Sequence, residues 1–288
     1  MDFKNGKELL AICNEKDMTI SEVMIKREIE ATENTEKDIL DRMNTALDIM
    51  TKSAKESISN PVKSIGRLIG GEAKKVSESE YKICGDILSD AISYALSVLE
   101  VNATMGLIVA APTAGSSGVI PGVITSLGEH KKLPREKMIK GLITSGAVGY
   151  IFMRNATVAG AEGGCQAEVG AASAMAAAMI VELLGGTPKQ ALNASAFAIS
   201  NILGMVCDPI AGLVESPCQN RNAIGVSNAF TSAQLALAGI SHPVPFDEMV
   251  DVMYDVGKTL PASLRETAKG GCACTPTGCS LSCGIFGS

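Results

Sequence analysis

The sequence predicts an all-α protein, and three observations carry that prediction. Apolar residues recur at intervals of three and four in the charged segments, as in Ile39, Met43, Leu47 and Met50. Proline, alone or after threonine, opens several such segments, where its missing N–H costs no helical hydrogen bond. No run of β-branched residues alternates with polar ones between hairpin turns. The best strand candidate, 107–110 (LIVA), is too short to found a sheet.

Along the chain, KELLAICNEKD and EKDILDRMNTALDIMTKSAKESI read as amphipathic helices. Cys13 and Cys84 fall within such patterns and are expected as small buried hydrophobes. Residues 1 to about 100, rich in Lys, Glu and Asp, are expected outside, and the Ala-, Gly- and Val-rich part from 101 onward is expected to form the core. The uncharged run 101–128 is long enough to span a bilayer. Pro112, Gly115, Ser116, Ser117, Gly118, Pro121 and Gly122 interrupt it, so it reads as protein interior.

Pro134 opens PREKMIKGLITSGAVGYIFM, and VGAASAMAAAMIVELLGG reads as a central helix whose small side chains let neighbours approach. Thr187 and Pro188 cap PKQALNASAFAISNILG, with Gly204 placed to close it, and Pro245 opens PFDEMVDVMYDVGKTL. Loops rich in Gly, Ser, Pro and Cys are expected near 112–122, 160–168, 206–222 and 270–284. No internal repeat of fixed period is present.

Composition narrows the function. The chain has 288 residues, a net charge of −6, a pI near 5.1 and no Trp. It therefore offers neither a basic surface for phosphate backbones nor a stacking platform for bases, and nucleic acid is not an expected partner. The N-terminus MDFKNGKELL lacks a basic start followed by an apolar run, so a reducing cytoplasm is expected. In that compartment clustered thiols point to metal binding or chemistry rather than cross-links.

Of the nine cysteines, three stand at junctions of helix and loop. Cys165 in AEGGCQAEVG precedes the Ala-rich helix, where backbone N–H groups favour a thiolate. Cys207 and Cys218 flank the loop of VCDPIAGLVESPCQNRNAI. Their spacing matches no short CxxC ligand pattern, so a metal site and ordinary packing both remain open. Asp208, Glu215 and Arg221 in the same stretch either brace the loop or face a substrate.

A second constellation is APTAGSSGVIPGV at 111–123. Thr113, Ser116, Ser117 and Gly118 there make either an anion-binding turn or a plain Ser/Gly turn. His130 and His242 have no acidic or nucleophilic partner fixed nearby in sequence and read as structural. A hydrolase triad is correspondingly disfavoured.

APTAGSSGVIPGV, GGCQAEVGAASAMAAA, CDPIAGLVESPCQNRNAIG and the late ETAKGG and TPTG segments together resemble the α chain of the bacterial iron–sulfur L-serine dehydratases. The resemblance runs in order over nearly the whole chain. It implies a single α-type domain over 1–288 and a [4Fe–4S] cluster on Cys165, Cys207 and Cys218. It further implies L-serine as substrate, held by Thr113, Ser116, Ser117 and Gly118, and a separate β chain as partner. In the family the histidine that would act as base belongs to a Ser-Ser-His-Thr loop of the β chain, and no such motif occurs here, so the catalytic base of this chain is unassigned.

The tail GCACTPTGCSLSCGIFGS departs from the aliphatic tail usual in two-chain members, carrying Cys272, Cys274, Cys279 and Cys283. Some single-chain relatives place a terminal cysteine over the open iron, but here no resting fourth ligand is expected from the tail. Two other readings stay in view. An iron–sulfur carrier would use the tail to complete the cluster's ligands, and a pyridoxal-phosphate dehydratase would need a Schiff-base lysine in an α/β setting.

Overall fold

In a computed structural model describing residues 1–287, the chain is helical throughout, with no strand among the described residues. The first three helices are α1 (Gly6–Lys16), α2 (Ile20–Ala31) and α3 (Glu36–Ser59), each opened by a side-chain cap. Asn5 accepts from the Glu8 N–H, while Thr19 with Glu22 and Thr35 with Asp38 form reciprocal capping boxes. Leu47 and Met50 are buried on the predicted face of α3.

After the short α4 (Glu72–Ser77), α5 (Gly85–Ala103) runs through the interior, with its stretch from Ala95 to Val101 buried at every position. This corrects the expected division near residue 100. The charge of the first hundred residues belongs to α1–α4 and the connections, whereas α5 is core. Cys84 is also corrected: it lies exposed in the turn before α5, where Gly85 takes a φ of 74°. A turn at this point breaks the apolar period. Cys13 is buried as expected.

The next helices are α6 (Val119–Lys131), α7 (Arg135–Asn155), the single turn α8 (Gly160–Gly163) and α9 (Ala171–Leu183). They continue with α10 (Pro188–Ser200), α11 (Cys218–Leu237), α12 (Phe246–Thr259) and α13 (Pro276–Phe286). Apart from Ser173 and Glu182, α9 is apolar all round, and it packs against α6, α7, α10 and α11, as a helix without a polar face must. α6 lies close on α5 at Gly122, where a Cβ would stand 2.6 Å from the Ala91 carbonyl oxygen. Between α9, α10 and α11 several buried polar groups pair with one another: Ser173 donates to the Gly225 carbonyl, and Asn228 donates to Ser173 and to the Ala198 carbonyl.

Thr187 and Pro188 open α10 through a capping box, as predicted, but the helix stops at Ser200 and Gly204 (φ 82°) closes a following turn. The expected loop near 270–284 is corrected. From Pro276 it is a helix, α13, capped by Thr275. The 107–110 segment forms no strand, and Leu107 on it is exposed. No helix among the described residues is long and apolar enough to cross a membrane.

Candidate metal and substrate site

The ends of three core elements meet on one side of the molecule. Cys165 immediately precedes a π-helical turn, Gln166–Gly170, that leads into α9, and Cys218 is the first residue of α11. Cys207 lies on the connection between α10 and α11 and pairs its backbone with a later segment. Its N–H donates to the Leu264 carbonyl at 2.8 Å and its carbonyl accepts from Glu266 N–H at 2.7 Å. Gln166 clamps the assembly, donating to the Met253 carbonyl and accepting from the Gly204 N–H, both at 2.8 Å.

All three thiols are buried. The sulfurs of Cys165 and Cys207 and a carboxylate oxygen of Glu168 lie within 4.8 Å of one another. A hydrogen bond from Cys207, together with the nearby Arg221 charge, holds the Cys165 thiol below its ordinary value. The same pairing and burial push the Cys207 thiol strongly upward. Burial, with the charges of Cys165 and Glu168, pushes Cys218 up to about 12, so Cys218 feels the same cluster of groups. Gly160 leaves these groups their room: a Cβ there would stand 2.6 Å from a Glu168 oxygen and 3.3 Å from the Cys207 sulfur.

Three charged residues of the cysteine loop have distinct tasks. Glu215 is buried and accepts from Ser64 Oγ at 2.6 Å, Gly66 N–H at 2.7 Å and Leu68 N–H at 3.1 Å, so it fastens the 61–70 connection to this loop. Asp208 accepts from the Cys272 N–H at 2.6 Å and pairs with Arg221 at 2.6 Å. Arg221 donates in turn to the Cys165 sulfur at 3.5 Å.

The Ser/Gly loop is joined to the thiols through Glu168, a residue the sequence reading quoted but did not single out. Thr113 Oγ1 donates to Glu168 at 2.9 Å and lies 3.0 Å from Ser116 Oγ. Desolvation pushes the Glu168 carboxyl up to about 7, against the opposing hydrogen bond from Thr113. The i, i+3 spacing from Cys165 is the one sequence signal that put Glu168 on the same side of a helical turn. Asn222, also missed, accepts from the Gly118 N–H at 3.0 Å and donates to the Gly115 carbonyl at 2.8 Å.

Ser117 donates to the Ala114 carbonyl at 2.7 Å, and Ser116, Ser117 and Gly118 are buried. Gly118 packs on α5, where a Cβ would meet the Ala95 carbonyl at 2.5 Å. His130 pairs with Asp90 at the outer end of α6, and His242 bonds its own turn through Val244 and stacks edge-on against Phe197. Both are structural. Cys272, Cys274, Cys279 and Cys283 are all exposed.

Comparison with known proteins gives the family. The family model "Serine dehydratase alpha chain" matches residues 15–273. The chain belongs to the serine dehydratase α-chain family. It is 49% identical over 288 residues to a probable L-serine dehydratase α chain of Bacillus subtilis, covering 99% of this chain and 96% of that one. It is 47% identical over 279 residues to the L-serine dehydratase α chain of Peptoniphilus asaccharolyticus, covering 96% of each. L-serine dehydratase 1 of Escherichia coli is 34% identical over 281 residues, which make up 94% of this chain and 61% of that longer one. The matched region thus makes up nearly the whole of some relatives and part of a longer one.

Proposed function

We propose that this chain is the α subunit of an L-serine ammonia-lyase that converts L-serine to pyruvate and ammonia, paired with a separate β chain. The observation that carries this reading is the gathering of Cys165, Cys207 and Cys218, all buried, around Arg221 and Glu168 at the end of the Ala-rich core. The family assignment favours it over the iron–sulfur carrier. An all-helical chain with no strand among the described residues also lacks the setting of a pyridoxal-phosphate fold.

The donor set fits a [4Fe–4S] cluster: three thiols shielded from water, one of them held below its ordinary value by a hydrogen bond from Cys207 and by the nearby Arg221 charge. Cys165, Cys207 and Cys218 would hold it, and with three protein ligands it would supply Lewis acidity at one iron. The rest of the work falls to the chain. Removal of hydroxide and the Cα proton from serine gives an aminoacrylate, which tautomerises and hydrolyses in water.

The Thr113–Ser116 hydroxyl pair faces Glu168 beside the thiols and is the part of the Ser/Gly loop placed to orient the polar groups of serine. Ser117 and Gly118 serve by fixing that loop's shape through Ala114, Asn222 and α5. By its family resemblance the base that takes the Cα proton belongs to the β chain, and both histidines here are engaged in other contacts.

The test is anaerobic purification with the β chain. Wild type should be brown, contain iron and sulfide, and release pyruvate from L-serine, while Cys207→Ser and Cys218→Ser lose the colour. Iron-free protein with full activity would overturn the proposal.

A further inference from the structure

We infer that Arg221, held by Asp208, is a positioning residue that acts on the proposed cluster through the sulfur of Cys165. The inference rests on the cluster reading above and adds a role to a residue outside the ligand set.

Arg221 splits its guanidinium between two partners. One terminal nitrogen lies 2.6 Å from Asp208 Oδ1, as an ion pair rather than an aligned hydrogen bond, and the other donates to Cys165 Sγ at 3.5 Å. The two side chains are only 16% and 4% exposed. Burying such a pair merely to brace a loop is a poor return, because desolvation offsets most of the attraction. The loop is in any case already braced by Glu215, whose three hydrogen bonds fasten it to the 61–70 connection.

What the pair adds is direction. Asp208 is itself fixed on its second oxygen by the Cys272 N–H, and Gly271 (φ 60°) lets that backbone approach where a Cβ would collide with the carboxylate. A carboxylate pinned on one side by the tail holds the fork so that its other arm meets the sulfur. Lysine, a single point charge, cannot serve both partners at once.

A donor and a positive charge on a ligating sulfur withdraw electron density from the metal group it holds and stabilise the reduced state. The experiment is an anaerobic redox titration of the reconstituted αβ holoenzyme, followed by visible absorption and EPR, on wild type, Arg221→Gln, Arg221→Lys and Asp208→Asn. Arg221→Gln should move the cluster midpoint to more negative potential, with Arg221→Lys moving it less in the same direction, whereas Asp208→Asn both loosens the guanidinium and removes a negative charge, so that its two opposed effects should leave a smaller shift than Arg221→Gln. KM for L-serine should change less than kcat.

A midpoint equal to wild type in Arg221→Gln overturns the inference. So does a tenfold or greater rise in KM at unchanged midpoint, which would make Arg221 a direct substrate contact. Should Arg221→Gln assemble no cluster, Arg221→Lys decides, since it keeps the positive charge and loses the two-armed contact, and a midpoint equal to wild type there overturns the inference. Absence of a cluster from wild type would instead refute the cluster reading, so the two failures are distinct.

Discussion

Glu215→Ala should unfasten the cysteine loop from the first third of the chain at a cost that the hydrogen bonds define. The carboxylate is 3% exposed and accepts from Ser64 Oγ, Gly66 N–H and Leu68 N–H. Ser64 can turn its hydroxyl elsewhere, but the Gly66 and Leu68 amides have no other partner. Two buried donors stranded at about 1–3 kcal/mol each, with loss of the Ser64 bond, give a destabilisation of about 3–5 kcal/mol. For a chain this long that corresponds to roughly 6–10 °C in Tm.

Urea denaturation of wild type and variant reads the free energy, and hydrogen exchange reads its location. The amides of the 61–70 connection and the 206–217 loop should lose protection while α9 and α10 keep theirs. Glu215→Gln, which keeps one acceptor, should lose about half as much. A loss under about 1 kcal/mol, or exchange spread evenly into α9, would refute this account of the loop's anchorage.

Other outcomes follow from the same structure. Gly122→Ala should destabilise by about 1–2 kcal/mol in urea, because steric conflict with the Ala91 carbonyl outweighs the gain in helix propensity of about 1 kcal/mol. Glu182, desolvated in α9, has a carboxyl raised above its ordinary value of 4.5. The folded state therefore holds its proton more tightly, and this stabilising contribution is complete below pH 4.5 and lost as pH rises through the raised value. Glu182→Gln should accordingly gain stability relative to wild type as pH rises across that window, measured by urea titrations at several pH values. Cys84→Ser should leave iron content and activity unchanged, since that thiol is exposed in the turn before α5 and lies outside the proposed ligand set.

How much of this was legible in sequence depends on range. The capping boxes at Thr19, Thr35 and Thr187 and the apolar stripe of α3 are local, and local signals placed those helices. α13 was legible by the same rule, since Thr275 and Pro276 repeat the Thr187 and Pro188 signal, but the density of Gly, Ser and Cys hid it. α5 was assigned outward because its neighbourhood is charged, though its own residues are apolar enough to be core.

In the site, the cysteines and the Ser/Gly loop stood out as residue types. Their relation did not, because Thr113 meets Glu168 across 55 residues, Gly118 meets Asn222 across 104, and Asp208 meets Cys272 across 64. Such pairings come from the packing of α5, α6, α9 and α11, and periodicity carries no information about them.

The central claim, that Cys165, Cys207 and Cys218 mount a cluster with one iron open to substrate, is tested most directly by adding L-serine to the anaerobic αβ enzyme and recording the cluster's EPR and Mössbauer spectra. The account predicts that L-serine perturbs the signal of one iron site and that D-alanine, which lacks the hydroxyl, does not reproduce the change. An active, iron-containing enzyme whose spectra are the same with and without L-serine would contradict it.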